Sequence, residues 1–420
     1  MRFQLATDLE GLAAYFPNFL ALADQDRWKK RALQLARDAQ SSPFQAKIVV
    51  DYHWLEWELT EQFLIQEIHG QLLPEQVMPR ALGAMYFAGN LVEVYNRLSA
   101  AGRVALQGRV RDALKAETGF AALYLEMEIA SLLLTEGFDI EFPDLEGTGR
   151  YDLHFTKGMI EGEVECKSLS ADAGRKIHRK DFYRFIDALG PKIADRAANG
   201  ASEVLLVTVE DRFPAVMERQ DALRDALSRM LSAGHIDHEA GDFFTINRED
   251  YRKHLGPTPL SSEKELYRSC QDAFGDNCHA SGAMTEKGSC LVVVRSRRED
   301  DTSKPLLEAL KKAASQLSGS RPSFIAVQFD EIQPADLTLP HLRRRAGLFS
   351  YVLFEERRVP HLAAIYFCAY GGTQITSQGV GTPAFVYWNP EFHMEADGLP
   401  FRAGPSDSEF ARLLGVDSSE

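Results

Sequence analysis

The sequence predicts an α/β protein: a helical N-terminal region, a central core in the order helix, strand, strand, strand, helix, strand (αβββαβ), and a C-terminal α/β or α+β region. Three observations carry this. Apolar residues recur at three- and four-residue spacing from the start of the chain to about residue 115. The stretch "YDLHFTKGMIEGEVECKSLS" (151–170) alternates apolar and polar residues on either side of a Lys157-Gly158 turn. "VLLVTV" (204–209) is an unbroken apolar run, as expected of a strand covered on both faces.

At 420 residues the chain is long for one hydrophobic core. Its patterns divide it into a helical region (1–115), the αβββαβ domain (116–235) and a C-terminal α/β region (236–420). In the first, "QDRWKKRALQLARDAQ", "DYHWLEWELTEQFLIQEIHGQLL" and "GAMYFAGNLVEVYNRLSAAG" are amphipathic helices, broken near Pro43, Pro74 and Pro79. The second opens with "TGFAALYLEMEIASLLLTEGF", a helix that Gly137 should stop. After the two alternating strands, residues 177–198 place Phe182, Phe185, Ile186, Leu189, Ile193 and Ala197 on one helical face, ahead of the 204–209 strand. Further on, "SCLVVVRS" and "SFIAVQFDEI" read as buried strands flanking the helix "PLLEALKKAASQLSG", a second βαβ-like arrangement. "SYVLFEE", "HLAAIYFCAY" and "AFVYWNP" then read as strands.

Composition narrows the class. With 45% apolar and 26% charged residues the chain is an ordinary globular one. It lacks any window of ~20 uncharged apolar residues and begins without a basic-then-apolar leader, so a soluble, cytoplasmic protein with no membrane partner is expected. Five unevenly placed cysteines suit a reducing compartment; Cys270, Cys278, His279 and Cys290 lack the close pairs of common zinc sites. A net charge of −14 means that any polyanion must be met by a local basic surface. Residues 150–200 hold ten Lys and Arg against eight Asp and Glu.

Chemistry concentrates in 151–170. Strand alternation sets Glu163, Glu165 and Lys167 on one face and Val164 and Cys166 on the other. With the apolar faces of the hairpin aligned, Asp152 falls on the side of Glu165 and Lys167. Crowded carboxylates disfavour one another's ionisation, and a divalent cation with a preference for oxygen, Mg²⁺ or Mn²⁺, removes the penalty. Such an ion can polarise a phosphoryl oxygen and acidify a water, with a lysine steadying the negative charge that develops. The plainer alternative is a half-exposed sheet with cross-strand ion pairs.

At these residues the chain resembles the PD-(D/E)XK nuclease superfamily, whose fold is restriction-endonuclease-like. Asp152 stands at a strand start, and "ECK" (165–167) supplies the acid-spacer-lysine of the next strand. "LEMEIASLLLTEGF" resembles the helix of Mrr-like restriction nucleases, with Glu126 at the matching glutamate and Glu128 as the alternative if the helix is rotated. Tyr151 stands where the family often has Pro. The resemblance covers about a quarter of the chain.

It implies a nuclease in which Asp152, Glu165 and Glu126 hold Mg²⁺ or Mn²⁺, Glu163 is a further candidate ligand, and Lys167 assists the attacking water. It also implies a nucleic-acid partner, DNA before RNA, and a role in restriction or defence against foreign DNA, and it leaves room for a homodimer. The basic segment "GRKIHRKDFYRF" offers Arg175, Lys176, Arg179, Lys180 and Arg184 as phosphate contacts. A nuclease-like scaffold that binds nucleic acid or a protein without cutting is the competing expectation.

Overall fold

The structure is a computed structural model and describes residues 9–116, 118–170, 172–214, 217–256, 263–275, 277–301, 303–330, 337, 340–357, 359–371, 374–376, 379–381, 384–392 and 398–401. The chain is mixed α/β and divides into two compact units. One comprises Met1–Arg37, Val49–Ala171 and Ser303–Glu420; the other comprises Asp38–Ile48 and Asp172–Thr302.

Residues 9–113 are helical, as their periodicity predicts, with short 3-10 turns at Pro74–Gln76 and Pro79–Ala81 where the prolines interrupt the pattern. The helix Ala121–Thr135 ends as the sequence requires. Gly137 takes φ 87°, its N–H reaches Leu134 O (3.0 Å), and the Phe138 N–H reaches Leu133 O (3.0 Å), the two bonds of a Schellman stop.

A six-stranded sheet follows, in the order Asp139–Glu141, Leu153–Lys157, Ile160–Ser170, Ser323–Asp330, Leu362–Ala369, Ala384–Trp388. The first three strands form an antiparallel meander. Ile160–Ser170, Ser323–Asp330 and Leu362–Ala369 then run parallel, and Ala384–Trp388 returns antiparallel at the edge. Parallel neighbours need a crossover. The helices Ser303–Gln316 and Pro340–Arg357 provide the two crossovers into this parallel set.

Alternation along one central strand builds both cores of this unit. Phe324 and Ala326 pack with Ile129 and Leu133 of the Ala121–Thr135 helix. Ile325 and Val327 pack with Leu306, Leu310 and Leu353 of the crossover helices. Close strand approach depends on Gly162, where an added Cβ would lie 2.3 Å from the Phe155 ring and 2.7 Å from Pro322 O.

The second unit carries a five-stranded sheet, in the order His238–Ala240, Phe244–Asp250, Ser202–Val209, Ser289–Ser296, Cys278–Met284. Among the described residues of this sheet, only Ser202–Val209 and Ser289–Ser296 are parallel neighbours. Val204, Leu206, Leu291 and Val293 form one face, covered by Tyr251, Leu266, Cys270 and Phe274.

Four expectations are corrected here. The strand 204–209 does not extend the meander: its neighbours are in the five-stranded sheet, and Ser323–Asp330 pairs with Ile160–Ser170 instead. For the same reason "SCLVVVRS" and "SFIAVQFDEI" belong to different sheets. All of these runs are apolar on both faces, so hydrophobicity alone does not say which of them pair. "SYVLFEE" is the end of the helix Pro340–Arg357; its Ser350 hydroxyl donates back to Ala346 O (2.9 Å), and Leu353 lies four residues beyond Phe349 against the same core. The 177–198 helix is two helices, Arg179–Asp187 and Gly190–Ala198, because Pro191 begins a new one.

Candidate active site

The antiparallel register pairs Leu153 with Val164, so the residue before the strand, Asp152, falls beside Glu165. Its Oδ2 accepts the Cys166 backbone N–H at 2.7 Å, which fixes the carboxylate at the middle of the neighbouring strand. Glu165 is 1% exposed. Its Oε1 accepts from the Lys167 ammonium, and its Oε2 is buried with no hydrogen-bond partner among the described residues. Lys167 also donates to Gln316 Oε1 (2.8 Å), and the Gln316 amide is turned by donating to Arg150 O (3.1 Å).

The third carboxylate comes from the helix Ala121–Thr135. Glu126 is 3% exposed and accepts from Arg109, whose other terminal nitrogen lies 3.6 Å from Asp144. Glu165 and Lys167 are in direct contact, and Glu126 feels the charge of Asp152 and acts in turn on Glu165. Burial pushes the Glu126 carboxyl up to about 8, with the charge of Asp152 adding to the rise and Arg109 opposing it. Glu165 is also pushed up to about 8 by burial and by Asp152, against the pull of Lys167. Asp152 is raised too, chiefly by desolvation. All three acids are raised first by desolvation, and the negative charge of Asp152 adds to the rise at Glu126 and at Glu165.

Glu163 is not part of the group. Fully buried, it accepts from the Ser318 N–H (2.8 Å), the Ser318 hydroxyl and Arg321 (3.0 Å), and so fastens the loop after Ser303–Gln316 to the sheet. Arg175, Lys176, Arg179, Lys180 and Arg184 all lie in the second unit. There Lys176 pairs with Asp211 (3.1 Å) and Arg184 approaches Asp181 (4.0 Å), while the Arg179 N–H caps onto Asp172 (2.7 Å). Cys166 has its thiol pushed well up by burial and the surrounding carboxylates, which fits a core thiol and not a nucleophile.

Sequence reasoning missed Arg109 and Gln316. Each lies on a helix outside the 151–170 stretch, and an arginine or glutamine on a helix carries no signal until the fold shows what it faces. Among the described residues, no three or more His, Cys, Asp or Glu side chains are gathered closely enough to hold a metal ion as they stand. Basic side chains occupy one oxygen of Glu126 and one of Glu165. No protein-family model, curated protein or solved structure matches the chain.

Proposed function

We propose that the chain is a metal-dependent nuclease of the PD-(D/E)XK type that hydrolyses phosphodiester bonds, with DNA as its substrate before RNA. The observation that carries the reading is the junction at Cys166, where Asp152 is tied to the backbone between Glu165 and Lys167. The element order supports it. The helix Ala121–Thr135, the three-strand meander, the helix Ser303–Gln316 and the parallel strand Ser323–Asp330 follow the αβββαβ order that the resemblance implies, and residues 172–302 intervene between the third strand and the second helix.

The donor set suits a hard cation. Asp152, Glu165 and Glu126 offer only oxygens, and the buried, unpartnered Glu165 Oε2 is a ready ligand. When bound, Mg²⁺ or Mn²⁺ would polarise a phosphoryl oxygen and acidify a water. The chain's own part is to hold the acids rigidly: Asp152 through a backbone hydrogen bond, Glu165 and Lys167 two residues apart on a central strand. Gln316 keeps the Lys167 ammonium beside Glu165, where it can offset negative charge developing on phosphorus. A role in restriction or defence against foreign DNA rests on the resemblance of the Glu126 helix to Mrr-like nucleases.

A second reading is a scaffold that binds without cutting. The occupation of Glu126 by Arg109 and of Glu165 by Lys167 favours it, because both acids are already neutralised by the chain itself. A cleavage assay with Mn²⁺ on linear, circular and single-stranded DNA and on RNA separates the two. The nuclease reading expects cutting by the wild type and a loss of about 10²–10⁴-fold in Lys167→Ala. Absence of cutting on all four substrates supports the scaffold.

A further inference from the structure

Arg109 belongs to the helix Ala100–Ala113, well before any residue of the nuclease motif. That helix is fixed at its start and along one buried face. At its start, Ser99 caps it by accepting the Gly102 N–H (3.1 Å) and donates its own N–H to Glu146 (2.8 Å). Leu106 and Val110 are fully buried beside Arg109, which holds this face inward. The guanidinium is consequently delivered to two carboxylates at once: buried Glu126, and Asp144, which is 49% exposed and 3.6 Å away.

We infer that Arg109 competes with the divalent cation for Glu126 and thereby sets the cation affinity of the site, with Asp144 as the guanidinium's alternative partner. The inference rests on the nuclease reading above. A buried carboxylate requires a counter-charge. Arg109 supplies one from the protein, and a cation that takes the same oxygen must displace it. Asp144 lowers the cost of displacement, since the arginine keeps an acidic partner next to its present one. The helical N-terminal region is on this account part of the site.

Titration calorimetry with Mn²⁺ on the full chain tests this. Arg109→Ala and Arg109→Gln, both checked for folding by their melting in EDTA, should bind Mn²⁺ about tenfold more tightly than wild type. Asp144→Asn, which removes the alternative partner, should bind several-fold more weakly. Unchanged or weakened Mn²⁺ binding in both Arg109 variants overturns the competition. Asp152→Ala is the control for the underlying reading: if it binds Mn²⁺ like wild type, the metal site itself is wrong and the competition falls with it. If it abolishes binding while the Arg109 variants match wild type, only the competition fails.

Discussion

Glu126 and Glu165 are glutamates whose carboxyls rise from an ordinary 4.5 to about 8 in the folded chain. Between those values the folded protein keeps protons that the unfolded chain has released. Their contribution to stability is therefore complete below about pH 4.5 and is lost as pH climbs through about 8. In EDTA, the urea midpoint should fall from about pH 5 to about pH 8.5, and fall less in Glu126→Gln. The same protons compete with metal, so Mn²⁺ binding near neutrality should release protons and tighten toward pH 8, which calorimetry in buffers of different ionisation enthalpy would measure. Glu163 is held by Ser318 and Arg321. Glu163→Ala should cost about 2–4 kcal/mol in urea denaturation, yet leave cleavage per folded molecule unchanged. Its place on the same strand face as Glu165 was legible from alternation; its partners were not, since Ser318 and Arg321 lie more than 150 residues away in sequence.

Among the elements, the site depends on how the meander meets the parallel strand Ser323–Asp330. Gly162 sits at that meeting, with the Phe155 ring on one side and Pro322 O on the other. Gly162→Ala should destabilise by about 1–3 kcal/mol, read from chemical denaturation, and should lower cleavage as well, because Glu163–Lys167 would have to shift. Local rules written into the sequence were readable. Gly137 stops its helix, Gly158 turns the hairpin with φ 63°, and the 151–170 alternation fixes which side chains share a face. Pairings between distant apolar runs were not readable. "VLLVTV" and "SFIAVQFD" have the same pattern, and the neighbour of the Lys167 strand is the one that lies beyond residues 172–302 in sequence. "SYVLFEE" illustrates a further limit: it is too short for its period to distinguish strand from the last turns of a helix.

At the scale of the whole molecule, each unit has its own sheet and its own core. A defect confined to one core should be felt there first. Hydrogen exchange on Gly162→Ala should show lost protection in Ile160–Ser170 and Ser323–Asp330, with Ser202–Val209 and Ser289–Ser296 keeping theirs. Equal loss in both sheets would mean that the chain unfolds as a single cooperative body. On the proposed reading a polyanion approaches a chain of net charge −14, so nucleic-acid binding should depend on Mg²⁺ or Mn²⁺. The central claim is that three carboxylates and a lysine, gathered at Cys166, form a metal-dependent phosphodiester-cleaving site. Its most direct test is the rate of Mn²⁺-dependent plasmid cleavage by wild type and by Asp152→Ala, purified in parallel and shown to be folded. The account predicts cutting by the wild type and a rate at least about 10²-fold lower in the variant; equal rates in the two proteins, or no cutting by the wild type, would contradict it.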